Sequence, residues 1–192
     1  LAPRYVGRFE KGVDYIGDIG AFDVDFAVHA AIARQFGSYK LSLHSGSDKF
    51  RIYPIAARHT RGLVHLKTAG TSYLEALRTL AQVDAALFRE IYVFALARYD
   101  ADRASYHVSA ETPRAPQPAQ LANDELALVL DDFHARQILH VTFGSVLTTT
   151  TSGGGLRFAD RVMAQLRSHP DAYGRCLEQH FVRHLEPFAR PR

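Results

Sequence analysis

The chain has 192 residues, 47% of them apolar and 22% charged, with a formal net charge of +3. This balance supports a packed core and argues against a disordered chain, and the length suits one domain. No run approaches the roughly 18 apolar residues of a bilayer-spanning helix. The mild positive excess, densest at Arg183, Arg190 and Arg192, lacks the concentrated basic face of a nucleic-acid binder. Neither a membrane nor a nucleic acid is therefore expected as a partner. The single cysteine, Cys176, can form no internal disulfide, which fits a reducing cytoplasm, and its helical surroundings give it a structural role.

In chain order, Val13–Gly17 (VDYIG) reads as a first strand. A helix follows at Asp23–Phe36, with Phe26, Ala30, Ala33 and Phe36 at helical spacing and Gly37 as its stop. Tyr39–His44 (YKLSLH) and Leu63–Thr68 (LVHLKT) read as strands. Ser72–Leu80 reads as a helix opened by a capping-box pair, Ser72 and Glu75. Asp84–Tyr99 is an amphipathic helix carrying Leu87, Ile91, Phe94 and Ala95 on one face. Ser105–Ser109 (SYHVS) is a fourth strand, and the proline-rich 110–122 stretch a flexible surface connection. Asn123–Ala135 is helical, and Ile138–Phe143 (ILHVTF) a fifth strand. The low-complexity 148–155 stretch (TTTTSGGG) reads as a flexible loop or lid. Helices at Phe158–Arg167 and Asp171–Leu185 end the chain, with Pro170 at the start of the second.

Strand alternating with helix points to an α/β fold with about five parallel strands. The two arrangements it allows are an open doubly wound sheet and part of a TIM-barrel-like (β/α) fold, the whole chain forming one domain. No GxGxxG and no P-loop pattern supports a nucleotide-binding version.

A strand sends successive side chains to opposite faces. YKLSLH sets Lys40, Ser42 and His44 against Leu41 and Leu43. LVHLKT sets His65 and Lys67 against Val64 and Leu66. SYHVS sets His107 and Ser109 against Tyr106 and Val108, and ILHVTF sets His140 and Thr142 against Leu139 and Val141. Four strands thus each present a histidine on the polar face. In parallel α/β folds chemistry sits beyond the carboxyl ends of the strands. His44, Lys67, His107 and Ser109 fall there, and Asp14 and Asp18 flank the end of the first strand.

Imidazole and carboxylate suit a divalent metal that polarises a substrate oxygen. Asp48 and Lys49, close after His44, suit proton transfer. Gly70-Thr71-Ser72 and Gly144-Ser145 offer N–H groups to an anionic oxygen. Each feature also has a plainer reading. A single strand histidine is more often a hydrogen-bonded core residue than a ligand. Asp48 and Lys49 equally make a surface ion pair, and Ser72 with Glu75 a helix cap. His29, His59, His134, His169, His180 and His184 fall in helices or loops and read as solvated or structural.

Five blocks, GVDYIGD, HAAIARQFGSYKLSLHSGSDKF, HLKTAGTSYLEALR, LFREIYVFALARYDADRASYHVSAE and RQILHVTFGSVL, in that order, resemble the tagaturonate epimerase family. The resemblance runs from Arg4 to the closing EQHFVRHLEPF. It implies a metal-dependent sugar epimerase with a barrel-like α/β fold, interconverting tagaturonate and fructuronate in hexuronate catabolism, with relatives acting on neutral ketohexoses. It also implies chains more than twice this length, matched here over their C-terminal half. A separate N-terminal half, or a second copy pairing through an exposed sheet edge, would then complete the barrel.

On this resemblance His44 and His107, then His140, are the metal ligands, for an ion such as Zn, Mn, Co or Ni. Asp48, Lys49 and Lys67 are the catalytic groups. Ser45, Gly70, Thr71, Ser72, Ser145 and Asp14 contact the sugar acid. The two sugars differ at ketose carbon 4, β to the ketone, where simple enolisation cannot act. Inversion there follows either a retro-aldol cleavage of C3–C4 or migration of the carbonyl to C3 before proton abstraction. The same residues fit two other readings: a barrel-type metal-dependent aldolase or sugar isomerase, and a non-catalytic sugar-acid-binding module.

Overall fold

Two of the predicted strands form, and they pair with each other. The computed structural model describes residues 1–37, 39–44, 48–67 and 70–189. These fall into two units, one built from residues 1–69 and 179–192, the other from 70–178.

In the first unit β1 (Leu41–Leu43) lies parallel to β2 (Val64–Leu66), with Leu41 opposite Val64 and Leu43 opposite Leu66. Leu1 occupies the other edge of β1. Its amino group donates to Lys40 O and its carbonyl accepts from Ser42 N, each at 2.8 Å. Helix α1 (Ile19–Phe36) starts at Asp18, whose carboxylate accepts from Ala21 N at 2.7 Å and so satisfies one orphan donor of the first turn. Phe22, Phe26 and Ala30 recur every four residues and are buried. They pack with Tyr5, Tyr15, Leu41, Leu43 and Ile52. Helix α2 (Tyr53–Thr60) opens with a proline in its first turn and ends at Arg61, which is left-handed at φ 52°.

The second unit is helical. It contains α3 (Thr71–Val83), α4 (Ala85–Asp102), α5 (Phe133–Val141), α6 (Phe143–Thr148), α7 (Ala159–Ser168) and the first part of α8 (Pro170–Ala189). Asp84 and Asp132 cap α4 and α5 by accepting from Leu87 N and Ala135 N. Leu77, Leu80, Leu87, Phe88, Ile91, Ile138, Leu139 and Val146 fill its core. The proline-rich stretch forms short 3-10 turns at Thr112–Arg114 and Pro118–Gln120. Tyr92 donates to Pro116 O at 2.8 Å and Arg89 to Leu121 O at 2.6 Å, fixing that stretch against α4. An antiparallel bridge between Thr150 and Leu156 closes the threonine-glycine loop.

The five-strand, TIM-barrel-like α/β expectation is overturned. Among the described residues the chain is mostly helical, and regular strand is confined to β1 and β2. Residues 13–17 contribute a single antiparallel bridge, Arg8 with Ile16. Of residues 105–109, Ser105 ends a 3-10 turn and the rest form an irregular link, with Ser109 N and Ala110 N donating to Gln137 Oε1. ILHVTF lies in α5 and the start of α6. A short apolar, β-branched run fits a buried helix as well as a strand, and the Asp132 cap upstream decides for the helix. Helix α2, between β1 and β2, had no counterpart in the sequence reading. No helix among the described residues is long and apolar enough to cross a membrane.

Candidate metal centre

Asp48, His180 and His184 meet inside the first unit, at 2%, 3% and 2% exposure. One ligand atom from each lies within 4.8 Å of the others, and this is the His/Cys/Asp/Glu group able to share an ion among the described residues. The histidines sit one helical turn apart on α8, so the helix presents both rings on one face. Asp48 Oδ1 is 3.0 Å from His184 Nε2 and 3.7 Å from His180 Nε2.

The hydrogen on His184 is fixed by its other nitrogen. Nδ1 lies 2.8 Å from His180 O. A carbonyl only accepts, so Nδ1 carries the proton, and the Nε2 of a neutral ring turns its lone pair toward Asp48. A carboxylate oxygen and an imidazole lone pair at 3.0 Å repel unless a cation or a proton lies between them. This donor set therefore fits a divalent ion: two imidazoles and one carboxylate, buried, with the backbone orienting one of the rings.

The surroundings hold the donors in place. Asp48 is left-handed at φ 60°, a costly conformation that Asp tolerates better than most residues. The Phe50 ring meets His184 at 4.8 Å and 67° and His180 at 6.4 Å and 86°. Tyr53 packs on His184 at 5.6 Å. The Arg183 guanidinium stands 4.2 Å over the Phe50 centroid. Burial pushes the Tyr53 hydroxyl far above the ordinary tyrosine range, so it stays protonated.

The predicted site residues divide between the two units. His44 is exposed just beyond β1, and Lys67 is exposed just beyond β2. His107 is exposed in the irregular link, while His140 is buried in α5. The shared strand face that grouped His44, His107 and His140 as ligands does not form, because His107 and His140 are not on strands. Gly70 is the N-cap of α3, Thr71 is buried in its first turn, and Ser72 is exposed. Helix α3 therefore starts at Gly70, not at a Ser72–Glu75 box, and Glu75 instead pairs with Arg78 at 3.2 Å. Ser145 is half-buried within α6. Asp14 accepts from Tyr15 N and Arg51 N. Lys49 is 2% exposed and donates to two backbone carbonyls, so it lies in the interior and not at the surface. Ser45 lies outside the described residues.

His180 and His184 are buried, so of the two readings, solvated or structural, the first is overturned. The signal for them was present in the sequence, since HFVRH on a helix stacks two imidazoles at metal-ligand spacing. Asp48 joins them through the fold alone.

Fold and centre together define a helix-rich protein with a buried His-His-Asp cluster suited to a divalent cation. The profile of the tagaturonate epimerase family, UxaE, matches residues 1–188. The tagaturonate/fructuronate epimerase of Thermotoga maritima is 42% identical over 186 residues, covering 97% of this chain and 37% of that protein. The native crystal structure of fructuronate-tagaturonate epimerase UxaE from Cohnella laeviribosi superposes with a TM-score of 0.94 at 40% identity, covering 98% of this chain and 38% of that one. The same enzyme with one glycerol bound gives the same score, identity and coverage. The chain belongs to the tagaturonate epimerase family, and it spans less than two fifths of the length of these relatives; the match to the Thermotoga maritima protein lies in that protein's N-terminal part, which corrects the expected C-terminal half.

Proposed function

We propose that this chain is the metal-binding portion of an epimerase that interconverts tagaturonate and fructuronate in hexuronate catabolism. The observation that carries the reading is the 3.0 Å approach of Asp48 Oδ1 to an imidazole nitrogen whose ring proton is committed elsewhere. Family membership supplies the substrate class.

Inversion at ketose carbon 4 needs an oxygen-bound Lewis acid, because that C–H is not acidified by the ketone one carbon further away. A divalent ion, held by Asp48, His180 and His184, would supply that acidity. The residues of this chain prepare the place for it. His180 O orients the His184 ring, Asp48 provides the negative charge, and Phe50 and Tyr53 keep water from the imidazoles.

The test uses this chain and a full-length family member in parallel. Tagaturonate is added with Zn(II), Mn(II), Co(II) or Ni(II), and fructuronate is followed by NMR. Replacement of the full-length residue that matches His184 by Ala should remove bound metal and activity together. Unchanged metal content by elemental analysis would overturn the assignment.

A further inference from the structure

Lys49 follows the ligand Asp48 directly, and its buried ammonium is held by backbone carbonyls of the Glu10–Asp14 turn. Nζ donates to Glu10 O at 2.9 Å and to Val13 O at 2.5 Å. The turn between those carbonyls contains Gly12 at φ 74°, which lets both face the same point. A second tie runs alongside, with both Asp14 carboxylate oxygens 3.3 Å from Arg51 N. The peptide N–H of Lys49 reaches Tyr53 Oη at 3.3 Å, and the Tyr53 ring packs on His184. Residues 49 and 51 are thus laced to residues 10, 13 and 14; Lys49 directly follows the left-handed Asp48, and residues 49 and 51 flank Phe50, whose ring packs on both histidines.

We infer that Lys49 is a positioning residue for the metal centre, and that the Glu10–Asp14 turn is the fixed point it holds. The inference rests on the metal reading above. A buried ammonium is stable only when its donors are met, and two converging carbonyls accept from it here. With its ammonium anchored, Lys49 holds the Asp48 backbone in a conformation it would otherwise leave, and the carboxylate stays aimed at His180 and His184. Lys49 touches neither the ion nor a substrate.

The experiment is a Co(II) and Zn(II) titration of this chain, read by calorimetry and by the visible d–d bands of the cobalt form, which report ligand geometry. Lys49→Met should weaken Zn(II) binding at least about tenfold and alter the cobalt bands, while Lys49→Arg, which keeps cationic donors, restores much of both. Ile55→Val, which trims the same unit's core, should lower its melting temperature and leave affinity and bands unchanged. If Lys49→Met does not fold, Lys49→Gln, which keeps a shorter neutral donor, is judged by the same two readouts. Wild-type affinity and bands in the folded Lys49 variant would overturn the inference and leave the metal reading standing. No binding by the wild-type chain would overturn the metal reading, and the inference with it.

Discussion

His184 Nε2 stands 3.0 Å from Asp48 Oδ1 while Nδ1 of the same ring donates to His180 O. An ion shared by these two atoms would relieve their repulsion, and metal ligands bind in their deprotonated forms. Zn(II) binding should therefore release a proton, so that the calorimetric enthalpy depends on the ionisation enthalpy of the buffer. At about a hundredfold excess over Kd, the ion should raise unfolding free energy by about 2.7 kcal/mol. Asp48→Asn should reduce this gain sharply. Equal stabilisation of Asp48→Asn and wild type would remove Asp48 from the ligand set.

Asp14 gives a pH prediction. Burial raises its carboxyl above the ordinary 3.8, against the opposing N–H groups of Tyr15 and Arg51 and the charge of Lys49. The folded chain thus holds this proton more tightly than the unfolded chain does. Its contribution to stability is full below about pH 4 and is lost as pH climbs through the raised folded value. Asp14→Asn does not titrate, so its melting temperature relative to wild type should rise across that interval. A difference that stays flat from pH 3 to 7 would contradict the burial effect.

Gly70 caps α3 at φ 89°, and a Cβ there would come within 2.7 Å of the buried His140 Nε2. Gly70→Ala should cost about 1–2 kcal/mol from the backbone alone, with the displacement of His140 added. Denaturant unfolding measures the loss, and a variant as stable as wild type would show that the ring moves aside freely.

The proline-rich stretch offers a smaller effect. Tyr92→Phe removes the donor to Pro116 O and should cost about 1 kcal/mol. Hydrogen exchange should show faster opening around residues 115–121, and unchanged protection would mean that Arg89 alone fixes the stretch.

The sequence made much of the helical framework legible. The predicted helices at Asp23–Phe36, Ser72–Leu80, Asp84–Tyr99, Phe158–Arg167 and Asp171–Leu185 correspond to α1, α3, α4, α7 and α8. Periodicity of apolar residues, such as Phe26 and Ala30, is a local property and survives folding. The strands were less legible, because alternation over five residues in SYHVS or ILHVTF is too short to separate a strand from an irregular link or a helix. The grouping of His44, His107 and His140 rested on the same short segments, since it needed a shared strand face. His180 and His184 were readable by helical spacing. Asp48 was singled out, but for proton transfer, and its partners lie in the chain's last helix.

The first unit is discontinuous: the chain leaves it after residue 69 and returns at 179, with all of Gly70–Glu178 forming the other unit. Asp48 lies before the departure and His180 and His184 directly after the return, so a bound ion would be a removable staple across a very long excursion of chain. Clips that close long loops remove the most freedom from an unfolded polymer. Metal supply would then set how tightly the two ends of this excursion are held together, over and above any chemistry done at the ion.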